Sequence, residues 1–333
     1  MKNARRDILK ILAAAAAGRL GAPALAQPGD APAAFPTRPV RAFSAFPAGS
    51  GPDVALRLVA ERLARRWGQP VLVENRPGGN GFVAVAAFRQ AAADGHDLLQ
   101  LDNTHVTTHP HTFARLPYDV ERDFVPVRMI LRTPFFVVVA ADSPWRSIDE
   151  LVAAAKAAPG KLNYGSWFVG SPGHLGALRL QSLKGLQMTH VPFRDFGQLY
   201  AAVANKDVDW ALGSAASAGG MEQSGRVRFI GLAAPTRDPL YPAVPATGES
   251  ASLRGFEMSG WAGLFGPRGL APALRDRISA DAAEVLASPD VVERYRTLGY
   301  EAPALDPAAF AQLIRLETQA WAKVIRQAEL RLD

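Results

Sequence analysis

The chain has 333 residues, 48% of them apolar and 20% charged, the balance of a soluble globular protein long enough for two α/β lobes. Its net charge of +6 shrinks once the N-terminus is set aside: Lys2, Arg5, Arg6, Lys10 and Arg19 face only Asp7 there, so 37 basic residues less five, against 31 acidic less one, leaves +2. Basic and acidic residues are interspersed, so no nucleic-acid footprint is expected, and the absence of cysteine excludes disulfides, thiolate metal sites and cysteine nucleophiles together.

Residues 1–27 read as an export signal: Ala4-Arg5-Arg6-Asp7-Ile8-Leu9-Lys10, an alanine-rich apolar run, then Ala24-Leu25-Ala26 before Gln27, with cleavage expected near Ala26. The paired arginines resemble a twin-arginine signal, while Arg19 inside the apolar run keeps general secretion open. Gly18 and Arg19 also make that run too short and too interrupted for a membrane span. A Pro/Ala linker follows at 27–37.

From there apolar strands alternate with amphipathic helices. Strands are expected at 39–46, 70–74, 97–101, 135–140, 161–165, 187–191, 208–212, 227–233 and 260–266. Helices are expected at 52–67, 81–93, 147–157, 172–183, 195–205, 272–287, 289–298 and 307–328. This alternation predicts an α/β fold of mostly parallel sheets flanked by helices. Two segments repeat one plan, strand then small-residue loop then helix: Phe46-Pro47-Ala48-Gly49-Ser50-Gly51-Pro52-Asp53, and Tyr164-Gly165-Ser166-Trp167-Phe168-Val169-Gly170-Ser171-Pro172-Gly173-His174. Backbone N–H groups at such helix starts suit an anion, and one loop per half implies two lobes facing across a cleft.

Catalytic readings fare poorly against these residues. Gly49-x-Gly51 after a strand, with Glu74 ending the next, is the beginning of a dinucleotide fingerprint, but Val54 stands where the third glycine is needed. His105, His109 and His111 are close in sequence yet have only Asp102 nearby as a carboxylate, so polar loop residues are expected there and no metal. No Gly-x-Ser-x-Gly elbow surrounds Ser50, Ser166, Ser171 or Ser214, which argues against serine hydrolysis. The runs 135–140 and 259–267 read as buried strands joining the lobes as paired crossovers, and Trp321 reads as a packing residue.

Across residues 35–333 the chain resembles the substrate-binding proteins of the tripartite tricarboxylate transporter system, the Bug family of periplasmic receptors. The resemblance rests on Phe35-Pro36-Thr37-Arg38-Pro39-Val40-Arg41, the Phe46-Pro47…Asp53 loop, Gly68-Gln69-Pro70-Val71…Glu74-Asn75-Arg76-Pro77-Gly78, Ala93-Asp94-Gly95 and Leu116-Pro117-Tyr118-Asp119. It continues through Pro159-Gly160-Lys161-Leu162-Asn163-Tyr164-Gly165-Ser166, His190-Val191-Pro192-Phe193 and Trp321-Ala322-Lys323-Val324-Ile325. It implies a two-lobed, hinge-bending Venus-flytrap fold that captures a small organic carboxylate and delivers it to membrane permease subunits. No enzyme activity, cofactor or metal is implied, and a periplasmic monomer is expected.

Carried over by position, the resemblance implies ligand-facing residues Phe46, Ala48, Gly49, Ser50, Gly51, Asp53, Asn80, Asn103, Thr104 and His105 in one lobe. In the other it implies Ser166, Trp167, Gly170, Ser171, His174, Asp195, Phe196 and Ser214. The family pattern has Ser-Gly where Trp167-Phe168 stand, Gly where Asp195 stands and Asp-Asn where Gly213-Ser214 stand, so the second half is expected to choose the acid, and an aromatic one would stack there. The lobes are expected at 28–140 with 255–333, and at 141–254. Two alternatives stay open at this point: a dinucleotide-dependent oxidoreductase, and a sensory receptor without a transport role.

Overall fold

The computed structural model describes residues 35–333; the export segment, its cleavage site and most of the linker lie outside them. In chain order come β1 (Val40–Ser44), α1 (Gly51–Trp67), β2 (Val71–Asn75), α2 (Phe82–Phe88), β3 (Asp97–Asp102), β4 (Phe124–Pro134) and β5 (Phe136–Ala140). Then follow α3 (Ile148–Ala157), β6 (Asn163–Ser166), α4 (Pro172–Lys184), β7 (Thr189–Pro192), α5 (Phe196–Ala204), β8 (Trp210–Gly213), α6 (Ala215–Gln223) and β9 (Val227–Leu232). The chain closes with β10 (Ser259–Pro267), α7 (Pro272–Leu286), α8 (Pro289–Thr297) and α9 (Pro307–Gln327).

Two five-stranded sheets result, ordered β2-β1-β3-β10-β4 and β7-β6-β8-β5-β9. They follow one plan. In each, three parallel strands meet an antiparallel strand, β10 beside β3 in the first and β5 beside β8 in the second, which then pairs antiparallel with the edge strand. The two-lobed α/β fold is therefore as expected, but the sheets are mixed, because each takes in a strand adjoining a crossover between lobes.

Those crossovers meet in a small backbone knot. Phe135 N–H donates to Met258 O (3.0 Å), Met258 N–H to Ala233 O (2.8 Å) and Ala233 N–H to Phe135 O (2.8 Å). The first crossing thus falls between Pro134 and Phe136, and strand 136–140, expected in the first lobe, belongs to the second sheet. The C-terminal helix is likewise shared: Phe310 and Ile314 pack in the core on β1, β3 and β10, whereas Trp321, Val324 and Ile325 pack with Tyr164, Trp210 and Leu212 of the second lobe. Residues 255–333 are not a first-lobe block.

Besides the short helical turns at Thr104–Thr108, His109–Thr112, Val120–Asp123 and Thr247–Glu249, two of the numbered elements escaped the sequence pattern. Strand β4 carries Pro126 and a buried Arg128, which break the apolar alternation. Helix α6 (Ala-Ala-Ser-Ala-Gly-Gly-Met-Glu-Gln) has weak intrinsic propensity and is held by a reciprocal cap between Ser214 and Ser217.

Candidate functional site

All eighteen expected site residues lie at or just past the carboxyl end of one of the parallel strands: β1, β2 and β3 in the first lobe, β6, β7 and β8 in the second. That edge is where loops of an open α/β sheet meet ligands.

In the first lobe, a buried carboxylate organises the 46–51 loop. Asp53 Oδ2 accepts from Gly49 N–H (2.8 Å) and Arg57 Nε (3.0 Å), and Oδ1 accepts from Asn75 Nδ2 (2.7 Å), which also reaches Phe46 O (3.0 Å). Burial would raise this carboxyl's pKa; the hydrogen bonds from Asn75, Gly49 and Arg57 outweigh it, so Asp53 stays ionised below the ordinary range. Its lone pairs face the protein's own donors, which makes it the loop's anchor. Ser50 does not cap α1, since its hydroxyl turns back to Pro47 O (2.7 Å); Pro52 has no N–H and Val54 N–H donates to Ser50 O (2.9 Å), so the N–H groups of Gly51 and Asp53 are those left without a side-chain cap. A Cβ at Gly51 would sit 2.0 Å from the Tyr300 hydroxyl, so only glycine lets that phenol lie across the helix start.

Next to this loop, His105 donates through Nδ1 to Asp102 in a short hydrogen bond, and its other ring edge lies against Gly81 and Phe46. Burial would raise the Asp102 carboxyl's pKa, but His105 outweighs it and holds it down. His109 stands 5.2 Å from His105, is pushed down to about 3 by burial and by His105, and pairs with Tyr118, whose hydroxyl donates to His105 O (2.6 Å). His105 and His109 are buried at the end of β3, and among the described residues no group of three metal-ligating side chains comes together. Asn80 is exposed in a left-handed turn (φ 52°), and Thr104 is buried, its carbonyl accepting from Thr108. Asn103 is drawn to the crossover, where Nδ2 donates to Ser259 O (3.1 Å).

The second-lobe half is built differently. Ser166 is fully buried; its hydroxyl donates to Phe168 O (3.0 Å) and accepts from His190 Nε2 (2.7 Å). His190 stacks on His174 at 3.9 Å, and His174 Nδ1 accepts from Gly170 N–H (2.9 Å). Burial pushes His174 down to about 3 and His190 to about 4, so both are neutral at neutral pH. The Ser–His contact is no nucleophile pair, because the serine proton is committed to Phe168 O. Ser171, Asp195 and Ser214 each accept an N–H of the helix that follows, from His174 (3.3 Å), Gln198 (2.8 Å) and Ser217 (3.3 Å). The acidic departure at Asp195 is thus a helix cap. Trp167 lies over Gly173, where a Cβ would come within 2.6 Å of its ring, and touches Phe135 of the crossover (5.9 Å) and Phe196 (4.9 Å).

Both halves therefore fasten to one point. Asn103 holds Ser259, Trp167 packs on Phe135, and Phe135 is hydrogen-bonded to Met258. A second tie runs through the 299–300 turn, since Tyr300 covers Gly51 of α1 while a Cβ at Gly299 would lie 2.8 Å from Ala215 of α6. Tyr300 and Leu332, whose side chain borders Gly170, had no local signal in the sequence. Asn75 and His190 did, each lying inside a quoted motif.

A model of the family "TctC: Tripartite tricarboxylate transporter family receptor" matches residues 55–330. The chain belongs to this receptor family. Among TctC-family relatives, the UPF0065 protein in the tcbD-tcbE intergenic region of Pseudomonas sp. (strain P51) is 34% identical over 297 residues, 89% of this chain and 88% of the relative. An R. palustris protein solved with adipate superposes with a TM-score of 0.76 at 26% identity, covering 89% of this chain and 99% of that one. MatC from Rhodopseudomonas palustris, solved with bound malate, gives 0.72 at 29% identity over 87% and 100%. This TctC-family chain is a solute-binding receptor and not an enzyme, which sets aside the oxidoreductase alternative.

Proposed function

We propose that this receptor captures a small organic carboxylate between the 46–53 loop with His105 and the 166–174 loop with Phe196, and delivers it from the periplasm to a tripartite tricarboxylate-type permease. The observation that carries the reading is the uncapped start of α1 beside a loop whose one buried carboxylate is already satisfied, a place where an anion meets backbone donors without meeting free negative charge. Adipate and malate in two structural relatives agree with that chemistry. Trp167 and Phe196 offer ring faces beside the second-lobe loop, which favours an acid with an apolar or aromatic body.

A thermal-shift screen of the mature protein with adipate, malate, benzoate and neutral sugars tests this. A bound acid at a hundredfold excess over its Kd stabilises by about 2.7 kcal/mol, and one of the acids is expected to raise the melt. A response to sugars alone overturns the carboxylate assignment. Trp167→Ala is expected to weaken benzoate more than malate; equal losses make Trp167 a packing residue only. Uptake of the same acid by vesicles carrying the permease, dependent on added receptor, separates delivery from sensing.

A further inference from the structure

Between the crossover strands and α9 lies a cavity of about 280 Å³ whose lining includes Asn103, Arg132, Arg179, Glu257, Trp261 and Glu317. These side chains come from the residue after β3, from β4, α4, the crossover, β10 and α9, so both lobes and the shared helix contribute. None of the other expected site residues lines it.

The polar groups there are left partly unpaired. Asn103 is 4% exposed; Nδ2 is committed to Ser259 O, and Oδ1 is buried without a partner. Arg132 Nε is likewise buried without a hydrogen bond and is held by an ion pair with Glu301 Oε2 at 3.6 Å. Arg179 spends one Nη on Gly255 O (3.0 Å) and lays its guanidinium 5.8 Å from the Trp321 ring centre. A buried acceptor and a buried donor left unmade each cost about 1–3 kcal/mol, and a solute that offers both complements satisfies them together.

We propose that this hinge cavity is a second solute site, which takes a small hydroxy- or amino-carboxylate with its carboxylate on Arg132 and Arg179 and its hydroxyl or amine donating to Asn103 Oδ1. Glu257 and Glu317 in the lining and Glu301 beside Arg132 outnumber the two arginines, which disfavours a dianion and favours an acid that brings a hydroxyl or ammonium donor beside its single carboxylate. Glu317 accepts from Trp261 Nε1 (2.9 Å), and burial pushes its carboxyl up to about 7 against the pull of that bond, Arg179 and Arg132. Near neutral pH it therefore carries a proton part of the time and repels an arriving carboxylate less. The cavity would hold an acid of lactate's size, since water takes roughly 30 Å³ per molecule.

The test uses the tryptophan indole N–H signals of the ¹⁵N-labelled mature protein, six in all. Trp261 and Trp321 report on the hinge cavity and Trp167 on the loop of the second lobe. Lactate is expected to shift Trp261 and Trp321 saturably, propionate at least tenfold more weakly, and Arg132→Gln and Arg179→Gln each to weaken the lactate response at least tenfold while the indole spectrum stays dispersed. A Trp261 shift that follows Trp167 with one midpoint and survives both variants is lobe closure transmitted from the cleft, and overturns the site. Equal responses to lactate and propionate overturn the role given to Asn103, and no saturable shift overturns the proposal as a whole. Failure of the cleft acids in the melt screen leaves this outcome unaffected, so the two readings fall separately.

Discussion

The two half-sites are built on the same strand-loop-helix plan yet solve opposite problems. In the first lobe, Asp53 shapes the loop from below and leaves the start of α1 without a side-chain cap. In the second, Ser171, Asp195 and Ser214 cap α4, α5 and α6, and a neutral Ser166–His190–His174 stack fills the space beneath. The expected symmetry, with helix starts from both lobes equally open to one anion, is thus replaced by a division of work. The first lobe presents donors. The second presents a neutral surface edged by the Trp167 and Phe196 rings, the surface on which the proposed selection of the acid would act.

The contrast breaks most severely at Asp53. Asp53→Ala strands the Gly49 N–H, Asn75 and Arg57, and is expected to cost about 2–4 kcal/mol in urea unfolding together with more than tenfold in ligand affinity. An unchanged affinity in a folded variant refutes its role as anchor of the loop.

The neutral stack makes a pH prediction with a definite sign. His174 and His190 have folded pKa values depressed to about 3 and about 4, below the unfolded value near 6.5, so the unfolded chain binds more protons between those limits. Their contribution is complete above about pH 6.5 and is lost as pH falls toward 4. His190→Phe keeps the ring stack, gives up the bond to Ser166 and is expected to flatten part of that acid limb in melts taken across this range. An acid limb as steep as the parent's shows that other groups set it.

The smallest effects come from exchanging the caps. Ser171→Ala is expected to cost about 1 kcal/mol of stability, by loss of the bond to His174 N–H. Ser50→Asp adds an anionic cap to α1 and is expected to stabilise by about 0.3–1 kcal/mol while weakening carboxylate binding, because the cap competes with the ligand for the same donors. Calorimetric titration beside thermal melts separates the two outcomes; a Ser50→Asp protein that binds as tightly as the parent removes the start of α1 from the site.

Local chemistry was legible wherever it is short-ranged. The glycine loops, the missing third glycine at Val54, the Ser147 cap that accepts from Glu150 N–H (3.2 Å), and the placement of every candidate loop after a parallel strand follow from residues a few positions apart. The ordered motifs along the whole chain carried the family. Strand β4 was hidden because its arginines and prolines obscure a pattern that only its neighbours β10 and α9 explain. Asp195, expected to face the ligand, spends one carboxylate oxygen on Gln198 N–H at the N-terminus of α5, a use that the helix start three residues away explains.

The sequence by itself determined the class of fold and the kind of receptor, because hydrophobic period, turn chemistry, helix starts and the ordered motifs are written in neighbouring residues. Tertiary structure alone decided that strand 136–140 enters the second sheet, that the last helix serves both lobes, that Tyr300 covers Gly51, and that Asn103 turns to the crossover with one oxygen left unpaired. Each of these joins residues more than a hundred positions apart or depends on which sheet a strand enters. Such pairings are settled by packing and by the completion of buried hydrogen bonds across the whole fold, and not by any local preference of the chain.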